Sequence, residues 1–282
     1  MTHPLDPLSA EELKAACAIA SQVSQLGKRV LWPITALAEP AKDELLAWRP
    51  GVPWDRRAEV VAFDRDTAAM YQLVVSLTSE RVVSCTAGTG SFPPLSFTES
   101  FEAVQAVKAD ARWQEAIGRR GITDVEAVQI DAWPAGNFGL PHEDGRRLTR
   151  CVSYLRPSPS DNGYARPLEG LLVVVDLDAM EITEFVDTGI VPLPPEPGNY
   201  VGGVVRTDLK PIAITQPQGP SFVLDGHEVS WQKWRFRFSV HPIEGLVLHT
   251  VSYDGRSILY RASIVEMVVP YASTAVGHWW KN

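Results

Sequence analysis

The sequence is short of the features that most directly announce a chemistry. It holds three cysteines in 282 residues, Cys17, Cys85 and Cys151, odd in number and far apart. With no CxxC pair, a zinc ribbon or a redox dithiol is excluded. The six histidines, His3, His142, His227, His241, His249 and His278, form no HxH, HExxH or Cys/His cluster, so metal-ligand spacing is missing. His241 and His249 could share a strand face, but would sit roughly 25 Å apart on it, too far to share a metal. GxSxG, a P-loop and GxGxxG are absent as well. No apolar run reaches the roughly 18 residues of a membrane-spanning helix, and the opening MTHPLDPLSAEELK has no basic or apolar region of a secretory signal. A cytoplasmic protein with free thiols and no membrane contact is therefore expected. Clustered positive charge is also lacking. The net charge is -8, and the small basic spots Arg119-Arg120, Arg146-Arg147 and Arg235/Arg237 read as surface or structural pairs, not as a nucleic-acid footprint. Asp124, Glu126, Asp131, Glu143 and Asp144 are candidate carboxylates for acid-base work, although acids on loops and strand edges are usually solvated.

What is present is an alternation of helix and strand patterns, in a chain that is 45% hydrophobic and 21% charged, as in ordinary folded proteins. Ser9 followed by Glu12 spells a capping box, and Leu13, Ala16, Cys17, Ala20 and Val23 recur at helical spacing up to Gly27. Strand-like runs follow at 29–37, 59–63, 71–78 and 81–86, the last two joined by Ser79-Glu80. The pattern then restarts. Ser96 or Thr98 can cap a helix through Phe101, Val104, Val107, Trp113 and Ile117 to Gly121, with strands at 125–133, 150–155, 170–176 and 181–186. One helix and then about four strands, twice, predicts an α+β protein with two copies of a helix packed on an antiparallel sheet. VPLPPEPGNYVGG at 191–203 reads as a linker, and cleavage by proteases is expected between about 191 and 210. Beyond it the pattern is all-β. Residues 246–253 and 257–264 flank Asp254-Gly255, a strong hairpin signal, with Val247, His249, Val251 and Tyr253 on one face. The expected boundaries are 1–92, 93–190, a linker at 191–209, and an incomplete all-β segment at 210–282. The C-terminal run with Met267, Val268, Val269, Tyr271, Trp279 and Trp280 is apolar enough to require a packing partner, and the third segment has too few strands to bury it alone.

Several blocks of the last 80 or so residues, taken in order, carry a resemblance. They are Lys210-Pro211-Ile212, Gln216-Pro217, Gly219-Pro220-Ser221-Phe222, Trp231-Gln232-Lys233-Trp234, Glu244 to His249, Tyr260-Arg261-Ala262-Ser263 and Glu266 to Tyr271. Together they resemble the opening of the catalytic β-sandwich of copper amine oxidases. Upstream, Ala165-Arg166-Pro167-Leu168-Glu169-Gly170-Leu171 and Asp187-Thr188-Gly189 resemble the second of the two small cystatin-like domains that precede it. The resemblance implies oxidation of primary amines to aldehydes with release of ammonia and hydrogen peroxide, using copper and a tyrosine-derived quinone (topaquinone). It implies a homodimer or association with a catalytic part. Its quinone motif, Thr-x-x-Asn-Tyr and then an acid, is not matched by Asn199-Tyr200, which has Glu196 and Val201 at the flanking positions. The copper histidines and the catalytic aspartate find no counterpart either, so neither cofactor is expected on this chain, and the chain is expected to be the N-terminal portion of such an enzyme, inactive alone; the alternative is a non-enzymatic interaction module or one half of a split enzyme. By residue matching, the resemblance implies that Phe101, Trp133 and Tyr164 line the amine channel. The residues themselves leave open a packing role, with Phe101 buried on its helix and Trp133 and Tyr164 closing an interface.

Overall fold

A computed structural model describes the chain except for residues 1, 2, 89–91, 140, 142, 201–205, 265, 266, 268, 270, 279, 281 and 282. His142, Val201, Glu266, Val268 and Trp279, all named above, therefore lie outside the described residues. The chain forms two compact units, Met1–Pro93 with Ile212–Val268, and Pro94–Pro211 with Val269–Asn282.

In the first unit, helix α1 (Ala10–Ala20) opens on the predicted capping box: Glu12 N–H donates to Ser9 Oγ at 3.2 Å, and Ser9 N–H to Glu12 Oε2 at 2.8 Å. The helix stops at Ala20, not near Gly27. Gly27 instead allows a close approach of two chain segments. Its N–H reaches the buried Asp64 carboxylate at 3.0 Å, and a Cβ there would come within 2.9 Å of both Asp64 and Asp66. A four-stranded antiparallel sheet follows in the order β1 (Val30–Leu37), β2 (Arg57–Asp64), β3 (Ala69–Ser76), β4 (Arg81–Ala87). Ala16, Ile19 and Ala20 of α1 pack on Ala58, Val60, Ala62, Leu73 and Val75, which alternate along β2 and β3. A short helix, α2 (Lys42–Ala47), unforeseen in the sequence, lies in the β1–β2 connection.

The second unit repeats the plan. Ser96, not Thr98, caps α3 (Phe97–Ala109), with Glu99 completing the box. The expected continuous helix is two. Asp110 is extended (φ -74, ψ 123), ends α3 and begins α4 (Ala111–Arg119), its carboxylate accepting from Arg112 N–H at 2.9 Å and Trp113 N–H at 3.2 Å. Gly121 does stop α4. At φ 81 it supplies the left-handed residue of a Schellman motif, with Gly121 N–H to Gly118 O at 2.9 Å and Ile122 N–H to Ile117 O at 3.1 Å. The sheet runs β5 (Val128–Pro134), β6 (Leu148–Leu155), β7 (Pro167–Asp176), β8 (Glu181–Asp187), all antiparallel. Ala103, Val107, Trp113, Ala116 and Ile117 of the helices pack on Val128, Ile130, Cys151, Leu171, Val173 and Val175, and Trp113 Nε1 donates to Ser153 Oγ at 3.1 Å inside that core.

The all-β segment, in the first unit, is a five-stranded meander: β9 (Phe222–Asp225), β10 (Glu228–Trp231), β11 (Trp234–His241), β12 (Gly245–Tyr253), β13 (Arg256–Ser263). Asp254 and Gly255 both have positive φ, 51° and 78°, as a type I′ hairpin requires. Val247, His249 and Val251 are buried on one face as the alternation predicts, while Tyr253 is 38% exposed at the strand end. Arg237 pairs with Asp6, and Arg261 binds Glu39 at 3.0 Å and Glu244 at 2.7 Å, so ion pairs tie this sheet to the first small sheet's end of the same unit. The basic spots read as structural pairs do act so: Arg119 and Arg120 hold Asp187, and Arg147 holds Glu99 and Asp178.

Candidate functional site

Strand alternation decides what the second sheet shows on the face away from its helices. Val128 and Ile130 point into the helix-covered core, so Gln129, Asp131 and Trp133 point out. Register carries the same face across the sheet: Trp133 lies opposite Arg150 and Arg150 opposite Val174, while Asp131 lies opposite Val152 and Val152 opposite Leu172; Gln129 faces Tyr154. Trp280, from the C-terminal residues of this unit, is 7% exposed and packs on Val152, Tyr154 and Leu172. Its ring meets Trp133 edge-on at 6.3 Å. The expectation that this terminus exposes apolar side chains for an absent partner is corrected at Trp280: its partner is the sheet of its own unit. Met267 and Tyr271 are exposed, at 78% and 59%.

Arg150 sits at the centre of this face, 2% exposed. Its Nη2 reaches Glu143 Oε1 at 3.1 Å, and its guanidinium carbon lies 5.4 Å from the Trp280 ring and 5.8 Å from the Phe138 ring. Burial lowers its pKa, partly offset by Glu143. Glu143, expected to be solvated, is itself 2% exposed and also accepts from Phe138 N–H at 2.8 Å. Of the other acids named as candidates, Asp124 caps a 3-10 turn, Glu126 pairs with Lys108 at 2.8 Å, and Asp131 accepts from Gln129 at 3.0 Å. Asp144 is exposed, and Asp131 also faces the Tyr164 phenol.

Of the three residues expected to line an amine channel, the structure brings two, Trp133 and Tyr164, to this face. Trp133 is 39% exposed with its carbonyl held by Thr149 Oγ1 at 2.8 Å. Tyr164, 63% exposed, stacks edge-on against Tyr154 at 5.2 Å, and the Asp131 carboxylate beside it pushes its phenol pKa up. Burial and the same carboxylate raise Tyr154 to about 12. Phe101 is elsewhere. It projects from α3, the helix on the opposite side of the sheet, and is 66% exposed, so the alternative that it is a buried helix-face residue is overturned: Ala103 and Val107 take the buried stripe. The surface offers aromatic walls, with one fixed cation already occupying the Trp280 and Phe138 faces.

A second polar cluster, missed in the sequence, lies in the first unit. His249, 2% exposed, shares a hydrogen bond with Ser239 Oγ at 2.8 Å through Nε2, and its Nδ1 is 3.9 Å from Glu39. The order Ser-His-Glu suggests a nucleophile. However, Arg261 Nε holds the Glu39 carboxylate at 3.0 and 3.1 Å, closer than the imidazole, so the acid orients the arginine. The signal available in sequence was the alternation WRFRFSVH opposite LVLHTVSY, which puts Ser239 and His249 on paired strands.

Two helix-on-sheet domains in series, followed by an antiparallel meander, define the class of protein. Comparison with known proteins narrows it. The AGAO-like N2 domain matches residues 9–85, the copper amine oxidase N3 domain matches 98–200, and the copper amine oxidase enzyme domain matches 223–282. A primary amine oxidase of Arthrobacter sp. (strain P1) is 38% identical over 100% of this chain, and a histamine oxidase of Arthrobacter globiformis is 34% identical over 99%. A copper-containing benzylamine oxidase from Hansenula polymorpha has the same fold, with TM-score 0.76 and 22% identity over 93% of this chain and 44% of its own. The chain belongs to the copper amine oxidase family, in its N2 and N3 domains and the start of its enzyme domain. It spans 44% and 42% of the length of the two Arthrobacter relatives.

Proposed function

We propose that this chain is the N-terminal part of a primary amine oxidase that converts primary amines to aldehydes with release of ammonia and hydrogen peroxide. The observation that carries the reading is the order N2, N3, enzyme domain along one chain, with 38% identity to a primary amine oxidase across all of it. The family implies copper and a tyrosine-derived quinone, and the residues present do not fit either. Among the described residues no group of three or more His, Cys, Asp or Glu is placed to hold a metal. The single Asn-Tyr pair is tied up structurally: Asn199 accepts from Asn162 N–H at 2.7 Å and donates to Asp161 at 2.8 Å, while Tyr200 is 92% exposed.

In this reading Trp133 and Tyr164 supply aromatic wall to the channel that admits the amine, and Phe101 lines it from its separate place on α3. The placement of Trp133 and Tyr164 on one sheet face, each against a further aromatic ring, supports it. A homodimer in the cytoplasm is part of the same proposal. A peroxidase-coupled assay of the purified 282-residue chain with methylamine and benzylamine tests it. No peroxide and no quinone absorbance are expected. Peroxide formation blocked by a carbonyl reagent would overturn it.

A second reading, a non-catalytic module that binds a separate catalytic part, is favoured by the meander's exposed apolar side chains, among them Val223 at 66%, Val240 at 74% and Leu246 at 59%. Co-purification of this chain with a polypeptide carrying the rest of the enzyme domain supports it. Separate elution of the two at micromolar concentration rules it out.

A further inference from the structure

The first unit contains a cavity that neither the family assignment nor the channel reading uses. It measures about 700 Å³, within the range of small-molecule sites. It exists because the connection from β1 to β2 is long and stiff instead of a tight turn. Pro40 and Pro53 bracket it, α2 fills its middle, and the loop is clipped by Trp48, whose Nε1 donates to Val52 O at 2.9 Å. Both indoles on its wall are held from behind. Trp48 stands edge-on to His3 at 5.1 Å. Trp54 has the Arg56 guanidinium 5.6 Å from its ring, and Arg56 is fixed by Glu12 at 2.7 Å and by the carbonyls of Asp6 and Pro7 at 2.8 Å.

The charge at this cavity is specific. Three acids and one cation, Arg57, line it; Arg57 is neutralised by Asp55 at 2.6 Å, which also takes Ser76 at 2.5 Å, and Glu39 is satisfied by Arg261. The Glu44 carboxylate has no ion pair or side-chain hydrogen bond among the described residues. One free negative charge beside two rigid indoles and three prolines, Pro4, Pro40 and Pro53, complements a single cation with an apolar body. We propose that this cavity binds a small organic monocation, an ammonium on an aromatic or branched alkyl body, with the body between Trp48 and Trp54 and the charge at Glu44. A second free carboxylate is missing, so a diamine gains nothing over a monoamine here. The proposal does not rest on the amine oxidase reading, and the peroxide assay and the binding assay below fail separately.

The test is titration of the full chain with phenethylammonium, followed by the indole N–H resonances of ¹⁵N-labelled protein, with Trp48→Phe and Trp54→Phe assigning the two peaks. Saturable shifts at Trp48 and Trp54 are expected. Affinity should fall about fivefold or more in Glu44→Gln and for the neutral 2-phenylethanol. Glu44 is exposed and unpaired, so its substitution leaves the fold intact, and unchanged spectra in the free variant check this. Shifts that do not saturate, that are unaffected by Glu44→Gln, or that appear only at other tryptophans would overturn the proposal.

Discussion

Glu99 occupies two roles at once, which makes its replacement a sharp test of how the second unit is held together. It is buried, and its Oε1 takes Arg147 Nη1 at 2.7 Å, while its Oε2 takes Ser96 N–H at 3.0 Å and Ser96 Oγ–H at 2.8 Å. Burial alone would raise its pKa, but the Arg147 and Ser96 hydrogen bonds outweigh burial and hold it below the ordinary value. Its contribution is therefore present above the unfolded-state pKa and is lost as pH falls through the folded one. In Glu99→Gln the side-chain amide cannot serve both sides. With its oxygen on Ser96 its NH₂ faces the guanidinium, and flipped, it presents NH₂ to the Ser96 N–H. Breaking a buried pair costs about 3–5 kcal/mol. Asp178, 3.1 Å from Arg147, recovers part of this, leaving about 2–3 kcal/mol. Hydrogen exchange of α3 peptides should show that loss, and urea unfolding a midpoint lower by about 1 M. Adding Arg147→Met removes the guanidinium that Glu99 had helped to neutralise, so the double variant should be more stable than the two single losses sum to, by about 1–2 kcal/mol. A Glu99→Gln protein within about 0.5 kcal/mol of the parent, or strict additivity in the double variant, refutes the reasoning.

Asp110→Ala should destabilise the second unit by about 1 kcal/mol, since it strips the cap of α4; Asp110→Asn should restore most of it in the same urea titration, and equal losses in both would show that the cap is unimportant. The first unit should lose stability as pH falls below about 6.5. Burial disfavours the His249 imidazolium, Glu39 and Glu244 oppose that, and Arg261 and Arg237 reinforce it, so the folded pKa lies below the unfolded one and the unfolded chain takes the proton first. His3, pushed down to about 4 mainly by burial, acts in the same direction. Thermal melts across pH 7 to 4.5 should therefore show a shallower acid slope in His249→Gln, and an unchanged slope would rule His249 out.

Local signals in the sequence were enough for most of the fold. The Ser9–Glu12 capping box, the alternating strands and the Asp254-Gly255 turn each act within a few residues, and each appears where the pattern placed it; of the two caps open for the second helix, Ser96 is the one used. What was not legible depended on competition between such signals. Asp110 lies inside a helical period that runs on through Trp113 and Ile117, and nothing in the period says that its carboxylate will take two backbone N–H groups and divide the helix. Gly27 looks like a helix stop, but its missing side chain is needed for the close approach of Asp64 and Asp66. Helix α2 carries no side-chain cap and is six residues long, too short for a periodic signature.

The site was less legible because its members meet through strand register and chain return, neither of which is a local property. Trp133 and Arg150 are neighbours only because β5 pairs with β6 in one register, and a slip of one residue would turn both into the helix-covered core. Trp280 joins them from the end of the unit's sequence. As a terminal tryptophan it reads as apolar surface in want of a partner, and that inference is sound as far as it goes, because a side chain of that size does need burial. What sequence could not supply is where the partner stands. A sheet covered by helices on one face leaves its second face bare, and in this unit Val152, Tyr154 and Leu172 form an apolar patch on it beside a buried Arg150. Trp280 answers both needs, packing on the patch with its body and placing its ring 5.4 Å from the guanidinium. It follows that Trp280→Leu should preserve much of the packing while losing the ring contact. Trp280→Ala should lose both, so a urea midpoint that falls further in Trp280→Ala than in Trp280→Leu is expected, and equal midpoints in the two variants would refute the packing role.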